Sequence, residues 1–115
     1  MNLEQPLVSI IMPSHNSEGY IKEAIKSVVS QNYKNWTLEI TDDFSSDSTV
    51  QIIKDLMRNE GRINLFCLNE KFGPGIARNK SIKRSLGKYI AFLDSDDTWE
   101  RDRLSKHIQF MEHNN

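Results

Sequence analysis

"LVSIIMPSHNSEGYIKEAIKSVV", residues 7–29, carries two hydrophobic periods back to back. Leu7 to Pro13 is an apolar run closed by a proline, which cannot donate to a central ladder, so it reads as a buried strand that stops there. Polar "SHNS" follows. Ile21, Ala24, Ile25, Val28 and Val29 then recur at i, i+3, i+4, i+7 and i+8, which is one face of a helix. A buried strand feeding straight into a helix is the first half of a βαβ unit, and its repetition along the chain sets the fold class.

The alternation continues. "WTLEIT", residues 36–41, alternates in polarity and ends at Asp42 and Asp43. "SSDST" supplies Ser46 or Asp47 as caps for a helix over 49–59 with Val50, Ile53, Leu56 and Met57 inward, and Gly61 is placed to stop it. Residues 63–68 read as a third strand, "NEKFGPG" as a loop, and 76–86 as a third helix closed by Gly87. Tyr89 to Leu93 reads as an interior strand because it is short, apolar and rich in aromatic and β-branched residues. Residues 101–112, with Leu104, Ile108 and Met111 aligned, form the last helix. Strands alternating with helices predict one α/β domain over 1–115: a Rossmann-like parallel sheet of order 3-2-1-4, right-handed crossovers and helices on both faces.

Composition narrows the function. Fifteen basic against sixteen acidic residues leave a net charge of −1, which gives no electrostatic reason to expect a nucleic-acid partner. The single cysteine, Cys67, excludes an internal disulfide, and its place in the apolar run "INLFCL" predicts a buried structural thiol. No apolar stretch approaches the roughly 20 residues of a membrane span, and "MNLEQP" lacks a signal-peptide pattern, so the expected location is cytoplasmic.

Three polar clusters fall where strands end: Ser14, His15 and Asn16; Asp42 and Asp43; and Asp94, Asp96 and Asp97 in "DSDD". Each alone reads equally as a solvated, helix-capping turn. Independent turns would scatter their acids over both edges of a sheet. Convergence on the carboxyl edge, where ligands bind in open α/β sheets, points instead to one site. Like charges packed together there repel, and a cation relieves the repulsion.

"VSIIMPSHNSEGYIKEAIKSVVSQNYKNWTLEITDD", "NEKFGPGIARNKSI" and "GKYIAFLDSDDTWERDRL" together resemble the N-terminal nucleotide-sugar-binding half of family 2 glycosyltransferases with the GT-A fold. The resemblance runs from Leu7 to about Met111. It implies that Pro13, Ser14 and Asn16 border the nucleotide, and that of Asp42 and Asp43 the second accepts a base N–H, uracil N3–H being the expected donor. Arg78 of the "ARN" triplet, Ala77 to Asn79, would contact phosphate. Asp94-Ser95-Asp96, extended by Asp97, is similar to the family's Asp-x-Asp element, which implies magnesium or manganese bridging the diphosphate, with Asp96 also beside the nucleotide.

The implied activity is inverting transfer of a sugar from a nucleotide-diphospho-sugar, UDP-linked by preference, to a glycan or lipid-linked acceptor in polysaccharide biosynthesis. The full-length protein is then expected at the inner face of the membrane. The family's general base belongs to a second half, so no catalytic residue is assigned, and this truncated chain is expected to bind without turning over. A noncatalytic nucleotide-sugar-binding or dimerising module is the alternative. A homodimer would use the Leu104, Ile108 and Met111 stripe.

Two positions depart from the family text. Phe44-Ser45 stands where Gly-Ser is usual, and His15 where Tyr is common; His15 reads as a loop histidine in ordinary hydrogen bonds. Trp36 and Trp99 read as packing residues. Lys71, Arg78, Lys80, Lys83, Arg84 and Lys88, with no acid between them, read either as a solvated face or as a positive wall toward a diphosphate.

Overall fold

A computed structural model describes residues 5–113. The chain forms β1 (Val8–Ser14), α1 (Ile21–Val29), β2 (Trp36–Asp42), α2 (Thr49–Met57), β3 (Ile63–Cys67), α3 (Pro74–Arg84), β4 (Tyr89–Phe92) and α4 (Arg103–His113). The four strands make one sheet of order β3-β2-β1-β4, and every pairing is parallel. Order and direction therefore match the sequence expectation, as does the βα alternation.

Because side chains alternate across a strand, the sheet has two different faces. Val8, Ile10 and Met12 of β1, with Leu38 and Ile40 of β2, pack against Ile21, Ala24, Ile25 and Val28 of α1, Ile53 of α2, and Leu104 and Ile108 of α4. Trp36 is buried in the same cluster, with the Arg62 guanidinium 3.8 Å from its ring centroid. The other face is more polar. There Ser81 of α3 lies 2.7 Å from the Thr41 hydroxyl and donates to the Glu39 carbonyl at 3.0 Å.

Four expectations are corrected. β1 continues through Pro13 to Ser14, because Pro13 shares the parity of Ile11, whose carbonyl faces β4, and the β1–β4 register ends at Ile11 and Phe92. The missing donor of Pro13 thus falls on the β4 side, where that ladder ends, while pairing with β2 continues to Ser14. Second, β4 sits at the edge that the order 3-2-1-4 gives it and is not buried on both faces as its apolar run suggests: Tyr89 and Ala91 are buried, whereas Ile90 and Phe92 are exposed. Third, Cys67 is exposed, because it is the last residue of the other edge strand; partial burial and the Asp42 charge push its thiol pKa up. Fourth, Leu104 and Ile108 are buried in the chain's own core, so the α4 stripe is already used and does not present a dimer seam.

Helix ends shift by about two residues. α3 starts at Pro74, not Ile76, since proline's fixed φ and missing N–H suit the first helical position. Gly73 precedes it at φ 99°, a conformation open to glycine.

Candidate functional site

At the carboxyl edge, β1 and β2 are tied by side chains as well as by the ladder. Ser14 Oγ donates to Asp42 Oδ1 at 2.7 Å. Asp42 also accepts the Ser45 amide at 2.9 Å and the Ser45 hydroxyl at 2.7 Å. With its side chain buried and its oxygens occupied, Asp42 holds the two strand ends together. Each of the two loops that follow, after β1 and after β2, holds a non-glycine residue at positive φ, Asn16 at 45° and Phe44 at 59°. The loops brace each other: the Asn16 amide donates to Ser45 Oγ at 2.8 Å, and the Ser46 amide donates to Asn16 Oδ1 at 2.8 Å. His15 Nδ1–H donates to the Asp43 carbonyl at 2.6 Å, the ordinary loop role expected of it.

Asp43 faces the loop before α3. The Phe72 amide donates to Oδ1 at 2.7 Å and the Gly73 amide to Oδ2 at 2.8 Å, while Lys71 Nζ stands 3.5 Å from Oδ2. Burial alone would raise this carboxyl's pKa, but the two amides and the lysine outweigh it and hold the group below the usual Asp range.

Past β4, the Asp97 amide donates to the Asp94 carbonyl at 3.0 Å, forming a tight turn. Asp94, Asp96 and Asp97 each offer a carboxylate oxygen, and these oxygens all lie within 4.8 Å of one another. All three side chains are exposed, so the acids face solvent rather than each other's burial. Three oxygen donors at that separation fit a hard divalent cation, which takes carboxylates in preference to nitrogen or sulfur. Among the described residues, Arg78 stands as a counter-charge 3.9 Å from Asp94 Oδ1. At that distance and exposure it neutralises little. Ser95, between the acids, meets Ser17 Oγ at 2.7 Å.

These loops enclose a cleft of about 500 Å³. Pro13, Ser14, Asn16, Asp43, Arg78, Asp94 and Asp96 line it, so seven of the nine residues singled out by sequence meet in one place. Asp42 stands behind the wall, and Asp97 belongs to the acidic group but not to the lining. Lys71, read from the sequence only as part of a basic run, lines it as well, and so do Tyr20 and Pro74, which were not singled out. Tyr20 had a signal: it is an exposed aromatic at the N-cap of α1, on the same edge as "SHNS". The basic run does not form one wall. Lys71 and Arg78 line the cleft, Arg84 lies over the Phe66 ring and donates to Thr41 Oγ1, and Lys88 pairs with Glu112.

Residues 9–115 match the sequence profile of Glycosyl transferase family 2. The chain belongs to this family. Among family 2 relatives, the UDP-Glc:alpha-D-GlcNAc-diphosphoundecaprenol beta-1,3-glucosyltransferase WfgD of Escherichia coli is 44% identical over 113 residues, which is 98% of this chain and 44% of WfgD. The chain thus spans less than half of that relative's length. Residues 1–349 of S. aureus TarS, solved in complex with UDP, superpose with a TM-score of 0.86 at 32% identity, covering 92% of this chain and 32% of that one. The mannosyltransferase PcManGT of Pyrobaculum calidifontis, solved with GDP-Man and Mn2+, gives a TM-score of 0.87 at 22% identity, covering 94% and 33% respectively. The shared architecture is the GT-A fold.

Proposed function

We propose that the cleft binds the nucleoside diphosphate of a sugar donor, with UDP preferred, through a divalent cation held by Asp94, Asp96 and Asp97. The observation that carries this is the meeting of the acidic group with Lys71 and Arg78 around one opening at the carboxyl ends of parallel strands. TarS, solved with UDP at 32% identity, supports the choice of nucleotide. Magnesium or manganese bound there would act as a Lewis acid toward the diphosphate oxygens. The chain's own residues do the positioning: Pro13, Ser14 and Asn16 form the nucleotide wall, and Arg78 supplies a fork of donors to phosphate. Asp43 accepts the Phe72 amide on Oδ1 and the Gly73 amide and Lys71 on Oδ2, which leaves a lone pair on Oδ1 for a base N–H.

For the whole protein we propose inverting sugar transfer to a glycan or lipid-linked acceptor at the inner membrane face, in polysaccharide assembly. The name of WfgD specifies a diphosphoundecaprenol-linked acceptor, which supports that acceptor class. Among the described residues no helix is long and apolar enough to cross a membrane. Calorimetric titration with UDP, GDP and a panel of their sugars, in manganese and in chelator, tests the binding step. Tighter binding of UDP in manganese is expected. Equal affinity in chelator and manganese would overturn the metal-dependent reading.

A further inference from the structure

The loop that carries Lys71 into the cleft and leads to Arg78 has few anchors of its own. Phe72 is exposed, Gly73 sits at φ 99° with nothing within 4 Å of where a Cβ would be, and α3 begins at Pro74. Its successive amides, Phe72 and Gly73, both point at one carboxylate. That carboxylate, Asp43, lies 29 and 30 residues earlier in sequence, and its side chain is 2% exposed. Two adjacent N–H groups converging on one anion form a nest, the same device that cradles phosphate at many sites. Here an internal carboxylate fills it. Asp43 is itself fixed from behind, because its amide donates to the Ser14 carbonyl at 2.7 Å and its carbonyl accepts from His15.

We propose that Asp43 is a positioning residue for the diphosphate: by occupying the Phe72–Gly73 nest it pins the loop, and the pinned loop sets Lys71 and the first turns of α3 with Arg78 against the acidic group. This is separate from any contact of Asp43 with a base, and it rests on the nucleotide-diphosphate reading of the cleft. It also explains why the residue is buried and doubly bonded, which a pure base reader on an open wall does not require. The loop depends on the carboxylate because its glycine backbone is free to leave the observed geometry.

The role separates from base reading by removing the base. Affinities of UDP and of inorganic pyrophosphate, each with magnesium, are measured by calorimetry for wild type and Asp43→Asn. An amide accepts through one oxygen only, so one of the two loop bonds is lost. Both ligands are expected to weaken together, by roughly tenfold, the scale on which displaced supporting groups act. The loss should persist at temperatures where circular dichroism shows the variant fully folded. Pyrophosphate binding unchanged by the substitution, whether or not UDP weakens, overturns the inference while leaving the nucleotide site standing. Wild type that binds neither ligand defeats the nucleotide reading itself, and the inference with it. If Asp43→Asn does not fold, Gly73→Ala decides. It keeps the carboxylate but disfavours the left-handed backbone, so it should weaken pyrophosphate binding too, and no change there overturns the inference.

Discussion

Ser17 Oγ and Ser95 Oγ lie 2.7 Å apart and join the loop after β1 to the acidic loop after β4 across 78 residues of sequence. Ser17 also donates its hydroxyl to the His15 carbonyl at 3.2 Å, and its amide donates to Thr49 Oγ1 at 2.7 Å. The loop that carries Asn16 and the loop that carries the three acids are therefore coupled by a hydroxyl pair. Ser95→Ala removes one partner of a part-buried bond and should lower stability by about 1 kcal/mol. It should also reduce the gain in UDP affinity on adding manganese. Urea denaturation and titration read the two effects; an unchanged manganese gain would show that the pair only holds the loops.

Asp96→Asn is expected to leave the fold intact, because the side chain is exposed and makes no bond that the core depends on. In manganese, UDP affinity should fall by about tenfold or more, as an amide is a poorer ligand for a hard cation. In chelator, wild type and variant should bind alike. A variant equal to wild type in both conditions would remove Asp96 from the proposed cation site.

Gly87→Ala should be destabilising for a reason unrelated to turns. A Cβ on Gly87 would meet Ser9 N at 2.5 Å, Ser9 Oγ at 2.7 Å and the Leu7 carbonyl at 2.9 Å. Two of these are backbone atoms of β1's approach and cannot move aside, and Gly87's own amide donates to Ser9 Oγ at 2.8 Å. A loss of about 1–3 kcal/mol is expected from such overpacking. A midpoint of unfolding equal to wild type would contradict the close approach.

Acid should weaken the fold partly through Asp43. Its carboxyl is held below the ordinary Asp range when folded, so protons bind the unfolded state more readily and stability rises with pH through that window. The contribution is complete above the unfolded pKa, about 4, and is lost as pH falls through the folded value. The stability gap between wild type and Asp43→Asn should accordingly be widest near neutral pH and narrow in acid. A gap that stays constant from about pH 7 to about pH 2 would show that no such shift exists.

The fold was legible because its determinants are local and periodic. Ile21, Ala24, Ile25 and Val28 mark one face of α1 within two turns, and all four are buried. The ends of β1, β2 and β4 gather the polar clusters whatever the details of packing, since parallel strands place their carboxyl ends on one edge. What went astray was burial at the sheet's margins. Cys67 and Phe92 sit in apolar runs that look interior, yet each belongs to an edge strand and is exposed.

Sequence by itself thus determined the order of elements, the parallel sheet and the edge that bears the site. Hydrophobic periodicity encodes these within windows shorter than twenty or so residues. Tertiary structure alone decided what adjacent acids do. Asp42 and Asp43 are neighbours of the same chemistry, but successive strand residues point to opposite sides. One carboxylate turns to Ser14 and Ser45, the other to amides 29 and 30 residues downstream. The same holds for Gly87, whose lack of a side chain answers to Ser9, 78 residues away. Such contacts depend on where distant segments land once the sheet has formed, and no local pattern of residues records them.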